Sequence, residues 1–193
     1  MYDIEPQTAD GKVLWHFGIS LDGYIAGPEH AMDWMTGFSN RPSLIEEYVA
    51  TTGAVLAGRD AFDSAIGDSR PYGPEWQGAI FVLTHHPEDA RPVDDITILS
   101  CPVEEAVAIA LEAAAGKNVE VFSADIGRQL LELGLIDEID LQIAPILLGD
   151  GIRLYDNPGA PPIRLDRLCV PDPTAEFNVR YRPHLPETSA RAT

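Results

Sequence analysis

Apolar residues along this chain come in short unbroken runs set between stretches richer in glycine, proline and charge. Such runs describe strands covered on both faces of a sheet, since a strand with one wet face would alternate apolar and polar positions. Val13 to Ile19, Gly53 to Ala57, Ala79 to Thr84, Val119 to Phe122 and Glu138 to Ala144 read this way, with Ile96 to Leu99 a weaker member. Helices are predicted between them. Pro42 to Thr51 opens with proline in its first turn, Arg59 to Ile66 is short, and Val103 to Ala115 carries Ala, Leu, Ile and Glu at helical spacing ahead of Gly116. Ile126 to Leu133 is closed by Gly134, and Gly67 to Gln77 is a Gly- and Pro-rich loop. Strands alternating with helices predict a mainly parallel sheet flanked by helices, an α/β/α arrangement of three layers. Ile163 to Val170 and Ala175 to Arg182, separated by Pro171-Asp172-Pro173-Thr174, predict antiparallel strands at its C-terminal edge.

The 193 residues suit one domain, taken as residues 11–183 between a polar leader (1–10) and a frayed tail (184–193). A chain of this size buries about 70% of the surface that its unfolded form exposes. The formal net charge of −18, from 31 acidic and 13 basic residues, argues against nucleic-acid and anionic-membrane partners. Only Lys12 and Lys117 are lysines, so an anionic cofactor has to be met locally by arginine, histidine, backbone amides or helix N-termini. Cys101 and Cys169 have no metal-ligand or CxxC spacing and read as small buried or half-buried thiols, consistent with a reducing cytoplasm. No apolar run reaches the roughly 18 residues of a membrane span, and no basic, apolar signal segment opens the chain.

Four segments can carry chemistry. Ser20-Leu21-Asp22-Gly23-Tyr24-Ile25 leaves a buried strand through a sharp turn, followed by Ala31-Met32-Asp33-Trp34-Met35, whose Trp34 can either stack on a planar heterocycle or fill a core. Gly58-Arg59-Asp60-Ala61-Phe62 sets an arginine where a strand passes into a helix, placed either to grip a phosphate or to pair with Asp60 or Asp63. Thr84-His85-His86 lies just past a strand; adjacent histidines there point to opposite faces and make a poor metal pair. The run Phe122-Ser123-Ala124-Asp125-Ile126-Gly127-Arg128-Gln129 puts a helix N-terminus directly after a strand, where α/β proteins present amides to phosphate.

Through these motifs the chain resembles the RibD C-terminal reductase branch of the dihydrofolate-reductase-like superfamily, over roughly residues 12 to 182. The resemblance implies the dihydrofolate-reductase-like fold and an NADPH-dependent oxidoreductase of a pyrimidine- or pterin-like heterocycle, most like 5-amino-6-(5-phosphoribosylamino)uracil reductase of riboflavin biosynthesis. It implies Gly58, Arg59, Thr84, His85, Ser123, Ala124, Asp125 and Ile126 around NADPH. Ser20, Asp22, Trp34 and Glu46 fall to the substrate, and Asp22, Asp33 and Trp34 to catalysis; no metal is implied. It also implies a cytoplasmic homodimer, self-associating through Leu147 to Tyr155.

At two places the chain departs from the family. The family carries Gly-Gly where this chain has Ser123-Ala124, and a basic or polar residue and a threonine where it has Asp60 and Ala61. Ser123 and Asp125 are good N-caps, able to satisfy the amides that would otherwise meet phosphate, and Asp125 adds negative charge. Two further readings therefore stand beside the reductase: a non-catalytic small-molecule-binding or regulatory protein on the same fold, and a dihydrofolate reductase. The zinc signature of a nucleotide deaminase is absent.

Overall fold

The computed structural model describes residues 11–38, 42–63, 70–90, 93–168 and 177–184. The expected leader, nearly all of the tail, the Pro171–Thr174 turn, Cys169 and the end of the helix expected to reach Ile66 lie outside the described residues.

Among the described residues ten strands and four α-helices follow in the order β1 (Val13–Ser20), β2 (Tyr24–Ala26), α1 (Pro42–Thr51), β3 (Thr52–Gly58), α2 (Arg59–Ala61), β4 (Ala79–Leu83), β5 (Ile96–Leu99), α3 (Val103–Ala114), β6 (Asn118–Phe122), α4 (Ala124–Glu132), β7 (Glu138–Ala144), β8 (Ile152–Arg153), β9 (Arg164–Arg167) and β10 (Asn178–His184). Eight of the strands form one sheet in the order β5-β4-β3-β6-β1-β7-β10-β9. Every pairing from β5 to β7 is parallel, and β10 runs antiparallel to both β7 and β9. The expected fold class is thus the observed one, a mostly parallel central sheet with antiparallel C-terminal strands. β9, with the sequence Arg-Leu-Asp-Arg, is shorter than its apolar flanks suggested and presents charge at the sheet's edge, a composition that discourages strand addition by another chain.

The unbroken apolar runs mark burial on both faces. Along β3, Ala54 and Leu56 enter a core cluster with α3 and α4, while Val55 and Ala57 enter a second with Phe62, Trp76, Ile80 and Val82. All four strand residues are fully buried. α1 covers the second face, where Val49 packs against the second cluster. α4 ends as the sequence predicts: the Gly134 amide donates to the Leu131 carbonyl and the Leu135 amide to that of Leu130, a closure that satisfies carbonyls the helix leaves open.

A two-stranded sheet of β2 and β8 was not foreseen, because three and two residues are too few to show a period. It forms where the chain leaves β1 through Gly23, whose φ of +93° is open to glycine and strained for other residues. The Gly23 amide closes this turn on the Ser20 carbonyl at 3.0 Å. Leu147 and Tyr155, in the segment expected to support self-association, are exposed. Among the described residues no helix is long and apolar enough to cross a membrane.

Candidate functional site

A cleft of about 1020 Å³ opens across the C-terminal ends of β3, β4 and β6 and runs inward along β1. The crossing connections of a parallel sheet leave this end uncovered, which is why ligands of such sheets bind there. The two ends of the cleft differ in chemistry.

At the outer end, Gly58, Arg59, Thr84, His85 and the Ser123 to Ile126 turn line the wall together. All eight residues assigned to a cofactor by resemblance therefore meet in one place. Gly58 lets the ends of β3 and β6 close up, since a Cβ there would lie 2.9 Å from Ser123 Oγ. Ser123 is the N-cap of α4, its Oγ accepting from the Ile126 amide at 3.3 Å. Asp125 turns onto the helix surface, where its carboxylate accepts from Arg128 Nη2 and Gln129 Nε2, each at 2.7 Å. The negative charge expected to oppose an anion is thus already paired. Arg59 is braced by Asp63 at 2.7 Å and by the Asp89 carbonyl at 2.6 Å, so its guanidinium is held at the cleft wall rather than swinging in solvent. His85 and His86 are exposed. His86, Glu88 and Asp89 bring possible ligand atoms within 4.8 Å of one another, all exposed, an arrangement surface acids commonly adopt without a metal.

The inner end is walled by Phe17, Met35, Ile45 and Phe122 and carries three polar side chains, His16, Tyr72 and Gln142. His16 Nδ1 lies 3.0 Å from Glu120 Oε2, and the Tyr72 hydroxyl contacts both groups. Thr52 Oγ1 donates to Glu120 Oε1 at 2.5 Å. On its other side His16 Nε2 is 3.1 Å from Gln142 Nε2, which also reaches the Tyr48 hydroxyl at 3.3 Å. None of these residues was singled out in the sequence. A signal was available: in Glu138-Ile139-Asp140-Leu141-Gln142-Ile143 polar residues recur at every second position of a strand otherwise read as buried, and Glu120 sits likewise between Val119 and Val121. Period two in a strand covered on both sides means that one covered face is polar.

The residues expected at the substrate, Ser20, Asp22, Trp34 and Glu46, and those expected in catalysis, Asp22, Asp33 and Trp34, are not among those lining the cleft. Asp22 accepts the Ser20 hydroxyl at 2.7 Å and the amides of Leu148 and Gly149 at 3.0 and 2.7 Å, tying the turn after β1 to the loop after β7. Ser20 is buried and also accepts the Tyr24 amide at 2.9 Å. Asp33 is exposed, and Trp34 is half-buried in a single 3-10 turn with its indole N–H enclosed and without an acceptor among the described residues; from that turn it is Met35 that enters the cleft, against Gly18. Glu46 is exposed, and its neighbour Glu47 pairs inward with Arg180 at 2.6 Å.

The Ser20 hydroxyl, then the Leu148 amide, hold the Asp22 carboxyl down at about 2 against an ordinary 3.8. A carboxyl depressed by folding stabilises the fold above its ordinary value, and that contribution is lost as pH falls from about 4 to about 2. Asp22→Asn is therefore expected to be less stable than the parent at pH 7 and to approach it towards pH 2. Urea unfolding at the two pH values measures this; an unchanged gap would remove the assigned role.

Comparison with known proteins bears on the family and the fold. The RibD C-terminal domain profile matches residues 74–172, just over half of the chain. The Bacillus subtilis protein YwjB, itself uncharacterized, is 24% identical over 146 residues, covering 75% of this chain and 82% of its own. Among solved structures, a putative riboflavin biosynthesis protein from Shewanella sp. PV-4 superposes with a TM-score of 0.70 at 18% identity, covering 90% of this chain and 99% of that one. Dihydrofolate reductase from Enterococcus faecalis, solved with NADP(H), gives 0.62 at 16% identity over 92% and 99%.

Proposed function

The chain belongs to the RibD C-terminal domain family, and on that premise we propose that it is an NADPH-dependent oxidoreductase acting on a pyrimidine- or pterin-like heterocycle. The observation that carries this reading is the division of one cleft into a helix-capped, arginine-bearing outer end and an aromatic inner end with a few buried polar groups. A dinucleotide and a planar heterocycle laid end to end need those two environments in that order.

Arg59, Thr84, His85 and the first turn of α4 suit the cofactor, while Asp60 and Asp63 also line that wall. Gly58 leaves the strand ends bare of a side chain where the chain passes Ser123, and Asp125, at the cleft wall, is paired with Arg128. The first amides of α4, at Ala124 and Asp125, would hold a pyrophosphate, because the opening turn of a helix has no carbonyls to accept from them. Arg59, Thr84 and His85 would hold the adenosine phosphate, the guanidinium making charge-assisted bonds. Bound there, the reduced nicotinamide supplies hydride. The chain's own part is to orient the acceptor, keep water from it through Phe17, Met35 and Phe122, and manage the accompanying proton.

Titration with NADPH and with NADH, followed by quenching of tryptophan emission, tests the reading. Saturable micromolar binding that favours NADPH is expected. Arg59→Ala should weaken NADPH binding about tenfold, the value of one charge-assisted bond to phosphate, and leave NADH less affected. If neither dinucleotide binds, a non-catalytic binding protein becomes the better reading.

A further inference from the structure

His16 stands within β1 at the inner end of the cleft, only 4% exposed. Glu120, fully enclosed, accepts from the Tyr72 and Thr52 hydroxyls and lies 3.0 Å from His16 Nδ1. On the same face Asp140, equally buried, accepts from Tyr48 and Asn178 at 3.1 and 2.6 Å and lies 2.8 Å from Arg180 Nε. Arg180 also holds the half-buried Glu47. Two buried carboxylates thus face one buried guanidinium, and an imidazolium at His16 is the second cation that balances them. A buried charge without a counter-charge is strongly destabilising, so the balance favours a protonated ring.

The electrostatics point the same way. Burial lowers the His16 pKa and Arg180 opposes its charge, but the charge and hydrogen bond of Glu120, with Asp140 behind it, raise it above the ordinary 6.5. Tyr48 and Tyr72, the other titratable groups against the ring, are pushed well up, chiefly by burial, and stay neutral. With Nδ1 held by Glu120, Nε2 is the nitrogen that remains, beside Gln142. The Gln142 amide as placed donates to a neutral ring and to the Tyr48 hydroxyl; a half-turn of it, with the Tyr48 hydroxyl turning from Asp140 to the amide oxygen, accepts from a charged ring.

We propose that His16 is the proton donor of this cleft, presenting Nε2–H to a ring nitrogen of a planar heterocycle, with Glu120 as the residue that positions it and Gln142 pairing with the adjoining edge. The inference rests on the reductase reading and narrows its substrate class to heterocycles with a reducible ring C=N bond. In that reduction the carbon receives hydride, and both electrons, from the reduced nicotinamide; the nitrogen receives the proton as the His16 N–H bond breaks and the substrate N–H bond forms. The neutral imidazole keeps its Nδ1–H bond to Glu120 and regains a proton from solvent entering the cleft.

The test uses the full chain, labelled with nitrogen-15, as wild type and His16→Gln, with pterin as the heterocycle probe. Imidazole nitrogens are followed from pH 5 to 9, the His16 signals being those missing from the variant. Pterin and NADPH affinities are measured in parallel. His16 is expected to carry both protons at pH 7, pterin affinity to fall as the ring deprotonates, and His16→Gln to weaken pterin at least tenfold while NADPH affinity stays within twofold. A singly protonated His16 at pH 7, equal pterin affinity in the two proteins, or no pterin binding by wild type overturns the proposal. Failure of wild type to bind NADPH removes the reductase reading, and the proton transfer with it, whatever the histidine shows. Should the variant not fold, the His16 ring signals are assigned in the wild type through their couplings to the His16 backbone, and that titration decides alone.

Discussion

Arg180→Ala is expected to lose about 3–5 kcal/mol of unfolding free energy, the cost of removing one partner from a buried ion pair. Arg180 is 3% exposed, its Nη1 donates to Glu47 at 2.6 Å, and its Nε lies 2.8 Å from Asp140 in an ion pair that is not aligned as a hydrogen bond. Burial opposes its charge, yet Asp140 and Glu47 hold the guanidinium more firmly protonated than an ordinary arginine. Truncation leaves Asp140, 2% exposed, with the hydroxyl of Tyr48 and the amide of Asn178 but no cation. Glu47 is half-buried on α1 and can turn outward, so Asp140 bears most of the loss. Replacing both members with apolar residues, Arg180→Met with Asp140→Leu, should recover only part of it: an apolar pair has no charge to desolvate, but the Tyr48 hydroxyl and the Asn178 amide lose their acceptor. Urea unfolding of the single and double variants measures the difference. A loss below about 1 kcal/mol for Arg180→Ala would mean that water reaches the pair, as at surface salt bridges.

The second large effect is expected at Trp15, where stability and the cleft meet. The indole is 1% exposed in the cluster beneath α3 and α4, and its Nε1–H donates to the Ser123 carbonyl at 3.0 Å. α4 can lie this close only because Gly127 has no side chain; a Cβ there would fall inside the indole ring. Trp15→Ala should cost about 3–5 kcal/mol, as truncation of a large core aromatic does. It should also weaken NADPH binding at temperatures where the variant is fully folded, since the turn that starts α4 loses its tether. Trp15→Phe keeps most of the apolar contact and loses the hydrogen bond, so it should cost about 1–2 kcal/mol while showing the same direction in affinity. Thermal unfolding with parallel NADPH titration separates the two effects. Undiminished affinity in folded Trp15→Ala would show that the turn holds its shape without the indole.

How much of this was legible beforehand depended on the range of the interaction involved. The both-face apolar runs of β1, β3, β4 and β6, the helical spacing of Val103 to Ala114 and the glycine after α4 report local conformation and burial, which neighbouring residues govern. From them follow the strands, the helices and the parallel order that short crossovers permit. The outer end of the cleft was legible for the same reason: Gly58, Arg59 and Ser123 sit immediately after strands, and a strand end in a parallel sheet is a place in the fold as well as in the sequence.

The inner end could not be assembled that way. His16, Tyr72, Glu120 and Gln142 come from β1, the loop before β4, β6 and β7, with partners up to 126 positions apart, and only the register of β1 against β6 and β7 sets them side by side. Asp22 is the converse case, a carboxylate beside a promising turn that the loop after β7 claims through two amides and that the Ser20 hydroxyl helps to hold. By itself, then, the sequence determined the layers of this protein, the direction of its sheet and the strand ends that border the cleft, because periodicity and turn chemistry act over a few residues. Which polar groups meet inside it was decided by the tertiary structure alone, because a buried charge takes its partner from whatever strand pairing brings within hydrogen-bond reach.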